Sequence, residues 1–198
     1  MSAPTDNLAA WPPLSVTLAD GATLSVRVAT PRDVPMFDLW DRDPVVIACA
    51  SDDPNADKAF EDADWSEEIA AASAVSCYYI AERDGRPIGA MQVIDPHLEP
   101  THYWGEIEPN LRAIDIWIGA DADRGRGNGA AMMRVVIDRC FADPSVAAIV
   151  IDPLNSNTRA HFFYQRLGFR VVGRRKFGAD DCLVHRLERQ DWEARHGA

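Results

Sequence analysis

The chain has 198 residues, is 47% hydrophobic and carries a formal net charge of -11 at pH 7. This length and composition fit one compact domain, and the acidic balance disfavours nucleic acid and anionic membrane as partners. No apolar run approaches the ~20 residues that a membrane-spanning helix needs, and the start of the chain lacks a secretion signal. The sequence therefore predicts a soluble cytoplasmic protein.

The first part of the chain predicts an arm followed by a strand pair. Residues 1–13 contain three prolines and are expected to form a flexible arm, with residues 14–198 as the single domain. Residues 14–28 predict two short strands that turn at Asp20-Gly21.

Helices and acidic residues dominate the next part. A helix is predicted from Pro31 to about Trp40, and another from about Ala56 to Ala72. Between residues 38 and 68 there are eleven acidic residues and only two basic ones. Such a segment is either a solvated helical surface or a region that attracts a cationic partner.

A hairpin and a long loop follow. Residues 76–82 and 87–94 are rich in β-forming residues and are separated by a short polar turn. The loop 95–112 carries Trp104 and Glu106, and long loops inside compact domains are often functional. The alternative is an ordinary crossover in which Trp104 caps the core.

The strand at residues 114–119 precedes a glycine-rich turn at residues 124–129 and a helix from Gly129 to about Ala142. Glycines allow close approach of the backbone to an anion, and the N–H groups that open a helix point at it. Two arginines in the turn add positive charge. This turn predicts a diphosphate site, although it fits neither the dinucleotide-binding nor the P-loop pattern.

The remainder predicts a strand at 147–151, a helix at 157–167 and a hairpin from 169 to 188. The order of elements predicts an α+β fold with a mixed twisted sheet of about six to seven strands and helices on both faces. The cysteines are scattered and form no C-x-x-C pair, so we expect neither a zinc site nor disulfides.

Three motifs together carry a resemblance to a known family. They are R-x-x-G-x-G at residues 124–129, Asn157-Thr158-Arg159-Ala160, and Tyr164-Gln165-Arg166-Leu167-Gly168-Phe169. With them the chain resembles the GNAT superfamily of acetyl-CoA-dependent N-acetyltransferases. The likeness is closer to the aminoglycoside 6'-N-acetyltransferases through Ile114-Asp115, residues 141–146 and residues 151–157. The first half and Ile116-Trp117-Ile118 depart from that group.

The resemblance implies roles for particular residues. Loop amides would bind the pyrophosphate of acetyl-CoA, Arg124 and Arg126 would neutralise it, and the Ile118 backbone would hold the pantetheine arm. The residues that it places at the coenzyme are Trp117, Ile118, Arg124, Gly125, Arg126, Gly127, Asn128, Gly129, Asn157 and Ala160. Tyr164 would protonate the departing thiolate, unless it is a core tyrosine packed with Phe162, Phe163 and Phe169.

An acidic acceptor site is also expected. Strand alternation places Asp115 opposite in direction to Ile114 and Ile116, and Asp152 follows the next strand. A buried carboxylate needs a partner, which is either a substrate ammonium or an arginine such as Arg112. The expected acceptor-binding residues are Trp104, Glu106, Asp115, Asp152 and Asp181, with Asp115 also catalytic.

The predicted function is transfer of acetyl to a primary amine of a cationic small molecule, with antibiotic resistance as the associated role in the group that it resembles. The alternatives are a siderophore-precursor or protein acceptor, or a non-catalytic CoA-binding sensor domain. The sequence leaves monomer and homodimer both open.

Overall fold

The computed structural model describes residues 6–60 and 63–196. One sheet forms its centre, with the strands β1 (Leu14–Thr17), β2 (Thr23–Val28), β3 (Ser76–Arg83), β4 (Arg86–Ile94), β5 (Leu111–Ile118), β6 (Ala148–Ile151), β7 (Arg170–Phe177) and β8 (Asp180–Glu188). Their spatial order is β1-β2-β3-β4-β5-β6-β8-β7, and only β5 and β6 pair in parallel. The predicted mixed α+β fold is confirmed, with eight strands instead of six to seven.

The helices are α1 (Val34–Asp41), α2 (Pro44–Ala50), α3 (Trp65–Ala70), α4 (Asn128–Ala142), α5 (Thr158–Leu167) and α6 (Arg189–His196). The predicted helix over residues 56–72 was too long. The observed helix α3 begins only at Trp65, because the Asp64 carboxylate accepts hydrogen bonds from the backbone N–H groups of Ser66 and Glu67 and so makes Asp64 the N-cap. Residues 61 and 62 lie outside the described residues. Neither α2 nor α6 was predicted.

The segment before β1 is packed from Asp6 onward, in contrast to the expected flexible arm. Leu8 is fully buried and Trp11 is 5% exposed. The Tyr79 hydroxyl donates a hydrogen bond to the Leu8 carbonyl oxygen at 2.8 Å. Burial of two large apolar side chains offsets the entropy of ordering this stretch. The rest of the predicted arm, residues 1–5, lies outside the described residues.

The two faces of the sheet have separate cores. On one face, Ile114 packs with apolar residues of α4 such as Met132 and Ile137. On the other face, Phe37 of α1 and Trp65 of α3 pack around Trp117 of β5. Alternation along β5 thus separates the isoleucines from Trp117, as predicted, and it directs Asp115 towards the second face.

The sheet opens between its two parallel strands. Pairing of β5 with β6 covers only three residue pairs and ends at Ala113 with Val150. Beyond this point β5 continues to Ile118 and stays paired with β4, whereas β6 ends at Ile151. The carboxyl half of β5 therefore has a free backbone edge, and the divergence forms an opening at the centre of the sheet.

Candidate active site

Two carboxylates lie on the two sides of this opening. Ala113 and Val150 are the last residues that pair between β5 and β6. Asp115 lies two positions after Ala113 and Asp152 two positions after Val150, so the parallel register places both side chains at the same height along the strands and on the same face of the sheet. Asp115 is open to solvent and Asp152 is half-buried. Desolvation by the surrounding protein, followed by the charge of Asp152, raises the pKa of Asp115 to about 7. Desolvation likewise raises the pKa of Asp152 to about 6.

Arg112 does not neutralise either carboxylate. Its buried guanidinium contacts Asp95 at 3.1 Å and Asp143 at 3.5 Å, so the arginine belongs to an ion pair elsewhere in the structure. Within the described residues, neither Asp115 nor Asp152 makes an ion pair at 4 Å or less. The site therefore presents two carboxylates that lack a cationic partner of their own.

Tyr164 of α5 reaches the same opening from the opposite face. Its ring contacts Phe163 and Phe169 at centroid distances of 5.1 and 5.8 Å, whereas Phe162 is 64% exposed and lies outside this cluster. Desolvation, and then the charges of Asp115 and Asp152, raise the pKa of the Tyr164 hydroxyl. The side chain is thus both a packed core residue and a protonated hydroxyl near the two carboxylates.

Tyr103 is a member of the site that the sequence reasoning missed. Its hydroxyl donates a hydrogen bond to Asp152 Oδ2 at 2.6 Å, and its ring stacks on Phe177 at 4.5 Å between centroids. The sequence leaves the loop 95–112 open as a functional loop or an ordinary crossover, and it points to Trp104 and Glu106 within it. A loop residue has no periodicity that shows where its side chain points, so the sequence held no signal for this contact.

The glycine-rich loop between β5 and α4 has the form expected of an anion site. Gly125 and Gly127 have φ values of 72° and 83°, and a Cβ built on either meets no atom within 4 Å. No described residue accepts a hydrogen bond from the backbone N–H groups of residues 125–130. These N–H groups open α4, where the helix dipole favours an anion. Residues 125–130 thus fit a diphosphate.

The two arginines of the loop differ. Arg126 is exposed. Arg124 instead donates from Nε to the Ile118 carbonyl oxygen at 3.0 Å, donates to the Gly119 carbonyl oxygen, and contacts Asp43 at 2.8 Å. The guanidinium of Arg124 is thus engaged by the end of β5 and the N-cap of α2, and its role in neutralising phosphate stays a prediction.

The backbone of β5 offers hydrogen-bonding groups to the opening. The Gly119 N–H donates to the Ile88 carbonyl oxygen at 3.0 Å, so alternation turns the groups of Trp117 towards β4 and those of Ile116 and Ile118 towards the opening. Arg124 donates a hydrogen bond to the Ile118 carbonyl oxygen, so the backbone N–H group of Ile118 is the one that remains available to a ligand. The Trp117 side chain packs with Phe37 and Trp65, and its place at the coenzyme stays a prediction.

Asn128 and Asn157 use their side chains within the protein. Asn128 is 1% exposed, accepts a hydrogen bond from Arg83 at 2.9 Å and donates to the Asp123 carbonyl oxygen at 3.0 Å. Asn157 caps α5 by accepting from the Ala160 N–H at 3.1 Å, which leaves its amide NH₂ for another partner. Gly129 lies beside Ile118 at the start of α4.

Three other residues were predicted to bind the acceptor, and their surroundings differ from those of Asp115 and Asp152. Trp104 is 3% exposed and packs edge-on against Phe177, so it caps the core. Glu106 is exposed. Asp181 is paired with Arg174 through both carboxylate oxygens. The structure thus favours the crossover interpretation for Trp104 and gives Asp181 a cationic partner.

His161 is half-buried and stacks on His185, with ring centroids 5.1 Å apart, instead of lying on the helix surface. Among the described residues, no group of three or more His, Cys, Asp or Glu is arranged to hold a metal ion. In the same part of the chain, no helix is both long and apolar enough to cross a membrane.

Comparison with known proteins agrees with this geometry. A family model described as an acetyltransferase (GNAT) domain matches residues 29–177. The chain is 27% identical over 161 residues to the aminoglycoside N(6')-acetyltransferase type 1 of Klebsiella pneumoniae, covering 80% of each. It is 35% identical over 77 residues to a kanamycin resistance protein of Rhizobium radiobacter, covering 38% of this chain and 71% of that protein.

A solved structure also shares the fold. AAC(6')-Ib in complex with ribostamycin and coenzyme A has a TM-score of 0.75 and 25% identity, covering 88% of this chain and 98% of that chain. Because the family model spans most of the chain, the protein belongs to the GNAT family. It is an N-acetyltransferase that uses acetyl-CoA, and its curated relatives include aminoglycoside 6'-N-acetyltransferases.

Proposed function

We propose that the acetyl acceptor is a primary amine of a cationic small molecule of the aminoglycoside kind. The observation that carries this proposal is the pair formed by Asp115 and Asp152 across the opening of the sheet. Two carboxylates on the two sides of one opening disfavour each other's ionisation, and a polycation relieves both charges at once. A neutral amine would gain much less from such a site.

The coenzyme is held, in this proposal, by residues 125–130 and by the free edge of β5. Their N–H groups have no acceptor among the described residues and would bind the pyrophosphate, with Arg126 as the nearby cation. The N–H groups of Ile116 and Ile118 and the NH₂ of Asn157 are available to the pantetheine arm. Bound acetyl-CoA supplies the activated acetyl group.

The residues of the site then move two protons. The acceptor ammonium loses two protons in all: one is released to solvent, and the other passes to Asp115, directly or through water, as the nitrogen bonds to the acetyl carbon. Asp115 later returns its proton to solvent. When the carbon–sulfur bond breaks, the Tyr164 hydroxyl gives its proton to sulfur and recovers one from solvent. The products are an amide, a free thiol and one released proton. Asp115 also orients the ammonium before its proton is lost.

The acceptor class is tested by measuring thiol release from acetyl-CoA over a panel of amines. The panel contains an aminoglycoside with a 6'-amine, its counterpart with a 6'-hydroxyl, linear polyamines, hydroxylated diamines and an amino-terminal peptide. We expect the 6'-amine compound to give the highest kcat/KM and its hydroxyl counterpart to give no turnover. A preference for the peptide or for the hydroxylated diamine would refute the proposal.

The roles of Asp115 and Tyr164 are tested by Asp115→Asn and Tyr164→Phe. Loss of general acid–base catalysis lowers a rate by about 10² to 10⁴, so we expect kcat to fall within that range for each variant. Asp57→Asn, which changes an exposed carboxylate away from the opening, is the control and should keep kcat. Near-native kcat in both site variants would remove both role assignments.

A further inference from the structure

We propose that Tyr103 is a positioning residue that gives the two carboxylates different tasks: its hydroxyl keeps Asp152 as the anion that binds the ammonium, and Asp115 is left to accept the proton. The inference rests on the proposed function, since it assumes that Asp115 and Asp152 receive an amine. It adds a residue and a division of labour that the acetyltransferase reaction by itself does not specify.

The Tyr103 hydroxyl is held in place from several directions. It donates to Asp152 Oδ2 at 2.6 Å, while its ring lies parallel to that of Phe177, with 10° between the planes. The Tyr103 backbone N–H donates to Glu99 Oε1 at 2.6 Å, and Glu99 is 4% exposed. Because ring and backbone are both anchored, the hydroxyl is aimed at Asp152 before any substrate arrives.

Asp115 has no equivalent donor. No described residue donates a hydrogen bond to its carboxylate, and its cross-strand neighbour Gln92 donates to Ser76 instead. The titratable groups that act on the two carboxylates come from several elements. Those around Asp152 are Tyr103, Asp115, Tyr164, Arg175, Asp180 and Cys182, and those around Asp115 are Tyr78, Tyr103, Asp152 and Tyr164.

A hydrogen bond to the charged form of a carboxyl group favours that form. Where two carboxylates oppose each other, a donor on one of them makes it the ion and its neighbour the proton acceptor. At Asp152 desolvation raises the pKa, and the Tyr103 hydroxyl and the charge of Arg175 act to lower it, whereas the causes acting on the pKa of Asp115, desolvation and the charge of Asp152, both raise it. The proton from the ammonium therefore goes to Asp115, while Tyr103 keeps its own.

The test is Tyr103→Phe, which keeps the ring on Phe177 and removes only the hydroxyl. We expect the acid limb of the profile of kcat/KM against pH to move up by about one pH unit, since one hydrogen bond to a charged group is worth roughly that much. If the pKa of Asp152 rises from about 6 by one unit, the acceptor KM should rise about tenfold at pH 5 but only about twofold at pH 7, while kcat at high pH stays near that of the wild type. In an Asp152→Asn background, adding Tyr103→Phe should cause no further shift.

Two other results would overturn the inference while leaving the proposed function intact. One is an unchanged pH profile in Tyr103→Phe, and the other is an equal loss of kcat at every pH, which indicates a purely structural role. Carboxyl ¹³C NMR titration of the wild type needs no variant and should show Asp152 losing its proton before Asp115; the reverse order contradicts the inference. Absence of turnover by the wild type on every cationic amine would instead refute the proposed function.

Discussion

Asp115 and Asp152 show how much a single residue depends on its surroundings. Each is an ordinary aspartate in the sequence, and alternation along its own strand predicts only the face that it occupies. The structure adds that parallel pairing stops two residues before both of them, so that they face each other across an opening. Desolvation then raises both pKa values, together with the charge of Asp152 at Asp115 and the charge of Asp180 at Asp152, and neither residue's sequence position alone predicts these effects.

The raised pKa values predict the pH dependence of the reaction. A protonated carboxyl neither attracts an ammonium nor accepts its proton, so kcat/KM for a cationic acceptor should increase as pH rises through about 6 to 7. The measurement is thiol release between pH 5 and 8 at subsaturating acceptor. A rate that is flat over this interval would show that neither carboxylate titrates there.

Asn128 and Arg126 lie two positions apart at the glycine-rich loop, and substituting them should change different properties: the unfolding free energy for Asn128 and coenzyme A binding for Arg126. Asn128→Ala leaves the carbonyl oxygen of buried Asp123 without the donor that it has from Asn128, and an unsatisfied buried polar group costs about 1–3 kcal/mol of unfolding free energy. Arg126→Ala should keep the unfolding free energy and weaken coenzyme A binding. Urea denaturation and calorimetry separate the two effects, and a stable Asn128→Ala variant would contradict the first.

At the scale of elements, the loop and α4 form a unit that the sequence predicts well. Glycines adopt positive φ at Gly125 and Gly127, and the helix begins at Asn128, one residue before its predicted start. The elements with fewer local signals were less predictable. The short α2 begins with Pro44 after the Asp43 cap, but the acidic, irregular composition of the segment concealed it.

Gly127→Ala tests the loop against a matched control. Gly21 has a φ of 86°, close to the 83° of Gly127, and a Cβ at either position meets no atom within 4 Å. Alanine at either site should therefore cost about 1–2 kcal/mol of unfolding free energy through backbone strain. Only Gly127→Ala should also weaken coenzyme A binding in calorimetry, because Gly21 lies in the turn between β1 and β2. Equal affinities for coenzyme A in the two variants would count against the loop as the diphosphate site.

At the scale of the whole molecule, the sheet keeps two unneutralised carboxylates at its centre while Arg112 is paired elsewhere. A carboxyl whose pKa is raised on folding stabilises the folded state below its unfolded pKa of 3.8, and this stabilisation is lost as pH rises through the folded value of about 7. This pair of carboxylates is thus a source of instability at neutral pH, which a bound cation would relieve.

Thermal unfolding of Asp115→Asn tests this cost. Asparagine carries no charge, so the variant should have a higher Tm than the wild type at pH 8, and the difference should shrink towards zero near pH 4. Asp57→Asn, an exposed carboxylate, should leave Tm unchanged at both values. A Tm gain for Asp115→Asn that is larger at pH 4 than at pH 8 would reverse the expected sign.

The sequence alone predicted the strands, most of the helices, the family and the form of the glycine-rich loop. These depend on local rules, such as the alternation of a strand, the positive φ of glycine and the open N–H groups at the start of a helix. Tertiary structure decided the partners of the side chains. It paired Arg112 with Asp95, turned Arg124 towards Ile118 and Asp43, and brought Tyr103 to Asp152, because contacts between distant segments depend on packing and strand register.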